Sequence, residues 1–284
     1  RALKALSDGA VRVIAADPFG SSYSGGDGSP KYVEGAGHTV HPEAEEDVWP
    51  RSFDLATVDE YITVDDREAI FTARRAAREE GLLLGGSAGT SLAAALRLAE
   101  RLGPDDVIVA LAPDSGRNAL STYYDDEWLA DRGFVIEQSE VPTLEGLVDE
   151  PAPRVDLHLT VAEAVARLDE RETDAAAPVL AVYRRADHEA PIPALDVAGL
   201  VTLDGLRRAL VSGFGEDLVR AHIVAAPPTV GIGRTADAAL AALDASQGGW
   251  TAASVLRDGR IVGVTTRETL VAHAARAGRL AVAR

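Results

Sequence analysis

The second half of this chain repeats itself, and that repeat constrains its fold more than any other feature. Thr160-Val-Ala-Glu-Ala-Val-Ala-Arg-Leu168 resembles Thr235-Ala-Asp-Ala-Ala-Leu-Ala-Ala-Leu243. Each copy is followed by a strand-like run, Val179 to Tyr183 and then Ala253 to Leu256. Each ends in a strand-then-helix signature, Val197 to Thr202 and then Ile261 to Thr266. Two tandem units of about 60 residues predict one pseudo-symmetric α+β domain, because each sheet needs the other to be covered. The first copy carries an extra polar loop, Arg184 to Pro193.

The first half follows a different grammar. Val11 to Ala15 and Glu60 to Val64 are short β-branched runs. Asp65, with Glu68 three residues on, opens a helix expected to run to Glu80 and to stop at Gly81. Leu82 to Leu84 is read as a short buried strand. Gly85-Gly86-Ser87-Ala88-Gly89 then leads into a helix with Leu92, Ala95, Leu96, Ala99 and Leu102 on one face. Val107 to Ala112 is a continuous apolar strand. Continuous apolar strands between helices predict α/β architecture, with a parallel sheet covered on both faces. Residues 135–156, with Pro142, Pro151 and Pro153, read as a linker holding one short helix at Leu144 to Val148.

Composition removes several function classes. A net charge of −17 opposes binding to phosphate backbones and anionic lipid, so neither nucleic acid nor a membrane is an expected partner. The absence of Cys removes disulfides, thiolate nucleophiles and Cys-based zinc sites. No apolar run reaches the ~18 residues of a membrane span, and no signal peptide is visible, so cytoplasm is the expectation. The chain has no Met, which predicts a longer parent with an upstream part. Lys4 and Lys31 are the only lysines.

Three loops are candidates for chemistry. Gly85 to Gly89 lies where open α/β sheets bind ligands; its backbone N–H groups and the Ser87 hydroxyl would cradle a flat or anionic group. The same pentapeptide also suits a tight strand-to-helix turn. Pro113-Asp114-Ser115 at the end of the next strand is either a pocket wall or a capped turn. Gly35 and Gly37 allow close backbone approach to a ligand, or simply form a surface hairpin. His38 and His41 stand three apart, but Pro42 breaks any helix there, so a solvated loop is expected and no metal site.

Taken in order, these segments resemble a known family. Ala16-Asp17-Pro18, Tyr23-Ser24-Gly25-Gly26, Val33 to Gly37, Glu80 to Gly89, Pro113-Asp114-Ser115 and Asp126 to Leu129 look like the later part of the catalytic domain of cystathionine β-synthase. This is a pyridoxal-phosphate enzyme of the cysteine synthase fold type. The repeat, with Pro227 to Gly231 and Gly263 to Arg267, looks like its pair of CBS motifs, the Bateman module.

The resemblance implies a fold-type II parallel-sheet domain over 1–134, a linker over 135–156 and a tandem CBS module over 157–284. It implies condensation of L-serine with L-homocysteine in transsulfuration, with pyridoxal 5'-phosphate as cofactor. Ser87 would meet the cofactor's pyridine nitrogen, within Gly85 and Gly86. Pro113, Asp114 and Ser115 would stand beside the ring. Gly35, Gly37 and His38 would line the substrate side, with Glu46 the other candidate because residues 38–45 look inserted.

The family's Schiff-base Lys matches neither Lys4 nor Lys31, so no catalytic residue is assigned and this stretch alone is expected to be inactive. CBS modules that hold adenosyl ligands usually carry an Asp three residues after the Thr; Gly205 and Thr269 stand there, with Asp204 one place early. Adenosyl binding is therefore expected to be weak, and the module to serve homo-oligomer formation. The alternatives are a cysteine synthase using O-acetylserine and sulfide, a non-enzymatic adenine-nucleotide sensor, and an acidic scaffold without a ligand.

Overall fold

The most local of these expectations, the helix after Asp65, shows how the first unit is built. In the computed structural model, which describes residues 1–136, 141–148, 151–183, 191–246 and 249–282, the chain divides into units at Arg1–Asp125 and Asp126–Arg284. The first unit opens with α1 (Ala2–Leu6), β1 (Ile14–Pro18), β2 (Glu60–Val64), α2 (Asp66–Glu80) and α3 (Gly86–Ala99). The Asp65 carboxylate accepts the Glu68 N–H, and Gly81 closes α2 at φ +69°. Glu68 does not complete a capping box; its carboxylate pairs with Arg97 on α3. Ala69, Ile70, Ala73 and Ala76 form the buried face of α2.

β1 and β2 pair in parallel, from Ile14↔Glu60 to Pro18↔Val64. The first strand thus begins three residues later than expected. The Val13 N–H is taken by the Asp59 carboxylate at 2.7 Å, so the ladder begins after it. Pro18 closes the strand without cost, because the next N–H, of Phe19, bonds Val64 at 2.8 Å.

Two expected strands are absent. Leu82 and Leu83 are 53% and 40% exposed, and Leu84 makes a single bridge to Ser115. Val107 to Ala112 forms no strand; Val107, Val109 and Leu111 are 87%, 82% and 77% exposed. A strand is defined by a neighbour about 4.8 Å away, and no described residue supplies one here. Among the described residues the parallel sheet therefore has two strands, and this apolar run is not covered.

The second unit begins with α4 (Asp126–Asp131) and contains two βαββα repeats. The first is β3 (Arg154–Asp156), α5 (Val161–Glu170), β4 (Val179–Val182), a short β5 (Ile192–Pro193), β6 (Val197–Val201) and α6 (Leu203–Val211). After β7 (Val224–Ala225) comes the second: β8 (Thr229–Gly231), α7 (Ala236–Ala245), β9 (Ala252–Arg257), β10 (Arg260–Thr266) and α8 (Arg267–Val282). In each repeat the first two strands are parallel and the third is antiparallel. Each sheet gains a fourth strand from outside its own repeat order: β7 beside β6, and β5 beside β10.

Thr160 and Glu163 form a complete capping box on α5, and Thr235 caps α7. One core lies under α5 and α6, with Val165, Leu168, Val179 and Leu206. The other lies under α7 and α8, with Leu243, Val255 and Leu270. Leu180, Val182 and Leu200 meet Leu256 and Ile261 between the two sheets.

The residues just after Asp125 pack on the second repeat. Arg234 reaches Glu127 and Asp131, each at 2.6 Å, and the Gly259 N–H bonds the Arg132 carbonyl at 2.8 Å. Leu144 is fully buried in the second core, within a 3-10 turn at Leu144–Gly146. The polar loop expected at Arg184 to Pro193 lies outside the described residues up to 190; Ile192–Pro193 is β5. Among the described residues no helix is long and apolar enough to cross a membrane.

Candidate cofactor site

The head of α3 is built from two distant stretches. Gly85, its N-cap, has no side chain to offer the first amides. Asp114 takes that role, accepting the Ala88 N–H at 2.7 Å and the Ser87 N–H at 3.3 Å. A Cβ on Gly85 would collide with that carboxylate. Gly85 N–H bonds the Asp114 carbonyl, and Gly116 N–H bonds that of Leu83. Two of the amides that could cradle an anion are thus already taken by a carboxylate, as the tight-turn alternative requires. Ser115 caps the short turn Gly116–Ala119 through the Arg117 N–H, and Pro113 is exposed.

Ser87 is 7% exposed, and its Oγ makes no hydrogen bond among the described residues. It faces Gly35: a Cβ there would lie 3.8 Å from Ser87 Oγ. Glycine at 35 therefore leaves this hydroxyl uncovered. Gly37, at φ +66°, has no room for a Cβ, with Pro18 Cδ at 2.8 Å and Ser21 Cβ at 2.9 Å. The loop that bears both glycines is tied at each end. Asp66, in the first turn of α2, accepts the Tyr32 and Val33 N–H groups at 2.9 Å. Tyr123 Oη donates to the Tyr32 carbonyl at 2.5 Å and accepts from the Glu34 N–H. Burial pushes the Tyr123 phenol up to about 12, so it stays protonated and keeps donating. Beyond the glycines, the Ser21 hydroxyl accepts the His38 N–H at 2.9 Å.

His38 itself faces Asp47. His38 Nε2 lies 2.7 Å from Asp47 Oδ1, and Trp49 Nε1 donates to Oδ2 at 2.8 Å. Tyr23 stacks between His38 and Phe53, with ring centroids at 5.1 and 4.1 Å, and Trp49 stands edge-on. Among the described residues no cluster of three metal-ligating side chains exists. Glu46 is exposed.

The sequence reading quoted Tyr23 only within a family motif and gave no role to Tyr123, Asp66, Asp47 or Trp49. Their signals were faint: a second Asp at a helix start, a Tyr-Tyr pair after a turn, and aromatics within an acidic loop.

Residues 1–114 match the family model "Pyridoxal-phosphate dependent enzyme". Among curated proteins, a "Cystathionine beta-synthase" of Apis mellifera is 35% identical over 140 residues, covering 48% of this chain and 26% of the relative. A "Putative cysteine synthase" of Sinorhizobium fredii is 37% identical, covering 43% of this chain and 35% of the relative. An "O-ureido-L-serine synthase" of Streptomyces lavendulae is 34% identical, covering 42% and 37%. A solved O-ureido-L-serine synthase aligns at TM-score 0.38 and 33% identity, over 45% of this chain and 40% of its own. The chain thus spans about a quarter to a third of the curated relatives it matches. In sequence, residues 1–114 thus resemble part of a pyridoxal-phosphate-dependent enzyme, a likeness that implies that cofactor.

The residues present fit one edge of pyridoxal phosphate. An uncommitted, buried hydroxyl facing a side-chain-free loop suits a ring nitrogen. The head of α3, filled by Asp114, does not suit the phosphate.

Proposed function

We propose that this chain is part of a β-replacement enzyme that joins L-serine to L-homocysteine, giving cystathionine in transsulfuration. The observation that carries the reading is the free Ser87 hydroxyl opposite Gly35, in a segment with the family match. Pyridoxal phosphate, when bound, supplies an electron sink for the substrate's α carbon. Ser87, a neutral group, would meet the ring nitrogen without placing a charge beside it. Asp114 holds the head of α3, and so the direction of Ser87. Asp66 and Tyr123 hold the loop whose Gly35 and Gly37 would line the substrate side. Neither lysine is offered as the Schiff-base residue: Lys4 pairs with Asp59, and Lys31 donates to Thr39.

Residues 1–134 are proposed as catalytic-domain sequence, 135–156 as linker and 157–284 as a CBS pair, in a cytoplasmic homo-oligomer. The paired βαββα repeats support the module. The Thr202 and Thr266 hydroxyls accept the N–H groups of Gly205 and Thr269, so the positions three residues on carry no carboxylate for ribose hydroxyls. This supports weak adenosyl binding.

A second reading, cysteine synthase from O-acetylserine and sulfide, is favoured by one observation. Over the matched stretch the putative cysteine synthase is 37% identical to this chain and the cystathionine β-synthase 35%.

The complete gene product containing this sequence, assayed with both substrate pairs, is expected to form cystathionine. Cysteine alone would select the second reading, and neither product would overturn both. Ser87→Ala is expected to weaken pyridoxal phosphate binding at least tenfold by absorbance, with an unchanged urea midpoint.

A further inference from the structure

The His38–Asp47 pair is organised beyond what holding a loop requires. The Asp47 carboxylate accepts from Trp49 through one oxygen and lies against His38 Nε2 through the other. A carboxylate only accepts, so Nε2 carries the proton, and in the neutral ring Nδ1 is then the acceptor. Nδ1 makes no hydrogen bond among the described residues. The ring is fixed by stacking on Tyr23, and its backbone is fixed by Ser21, directly after Gly37. A carboxylate that orients an imidazole and leaves its second nitrogen free is the arrangement of a general base.

We propose that His38 accepts the proton of the incoming thiol in the β-replacement, with Asp47 as its positioning residue. This rests on the reading above and assigns the step in which the nucleophile is activated. The S–H bond breaks, and its proton moves to His38 Nδ1. The electron pair stays on sulfur as a thiolate, and the imidazolium keeps its Nε2 proton on Asp47. The hydrogen bond from Trp49 above all, with that from His38, holds Asp47 below the usual carboxylate range, so it remains an anion. Tyr23 is the other titratable group against the ring, with Asp17 near it; burial and both carboxylates raise the Tyr23 phenol, which stays neutral.

The test uses the complete gene product with L-serine and L-homocysteine from pH 6.5 to 10. His38→Gln keeps the ring's place in the loop but has no base. It is expected to lose at least tenfold in kcat at pH 7 and less than threefold above pH 9.5. There the thiol, with an ordinary pKa of about 8.5, ionises unaided. Asp47→Asn is expected to show the same pH-dependent loss, and Asp47→Glu to restore most of it. A loss that is equal at every pH, or no loss, overturns the proposal, because loop support has no reason to follow thiol ionisation. If the unaltered gene product forms no thioether, the underlying reading fails and this inference with it. If it does and His38→Gln matches it at pH 7, only this inference fails.

Discussion

Tyr123 ties together more of the candidate site than any residue the sequence singled out. Its phenol donates to one loop carbonyl and accepts one loop amide, and its ring packs on Gly86. Because burial raises its pKa to about 12, the native state holds the phenolic proton more tightly than the unfolded chain does. The stability this contributes is fully present below pH 10 and is lost between pH 10 and about 12. Tyr123→Phe removes both hydrogen bonds and is expected to cost about 1–2 kcal/mol at pH 8. The difference between variant and parent should then shrink as pH rises from 10 to 12, read as thermal midpoints over that range. A constant difference would mean that the phenol does not titrate with folding. Ser87, by contrast, entered the sequence reading through the family resemblance, because its pentapeptide alone also suits a tight turn. Tyr123 was not legible, because it acts across 91 residues of sequence on a backbone carbonyl, and no local pattern marks such a bond.

Elements were legible in proportion to how locally they are specified. α2 was readable at both ends, because its cap lies three residues from its first amides and its stop is the next glycine. α5 and α7 were readable for the same reason, each with a Thr at its start. The head of α3 stayed open between an anion cradle and a tight turn, because its cap is supplied from Asp114, 26 residues beyond Ala88. Asp114→Ala should therefore behave as the loss of a helix cap and cost about 1–2 kcal/mol in urea unfolding. Asp114→Asn, which keeps an acceptor, should recover about half of that. Equal stability of all three proteins would show that the helix does not depend on this carboxylate.

At the scale of the whole molecule, the two halves differ in how completely they satisfy themselves. The repeat half closes two cores and one inter-sheet layer with its own residues. The first half has a two-stranded parallel sheet, and its most apolar run, Val107 to Ala112, has neither backbone partners nor cover among the described residues. Periodicity reported the apolarity correctly; it could not report the neighbours that turn an apolar run into a strand. An exposed, unpaired, β-branched run is a template for association. This chain is therefore expected to self-associate at micromolar concentration despite its net charge of −17. Val109→Lys with Leu111→Lys should reduce that association, measured by light scattering and sedimentation velocity. Lysine is the informative choice because it lowers the net negative charge, which on its own would favour association. A drop in association can then come only from removing the apolar template. Unchanged or greater association would place the sticky surface elsewhere on the molecule.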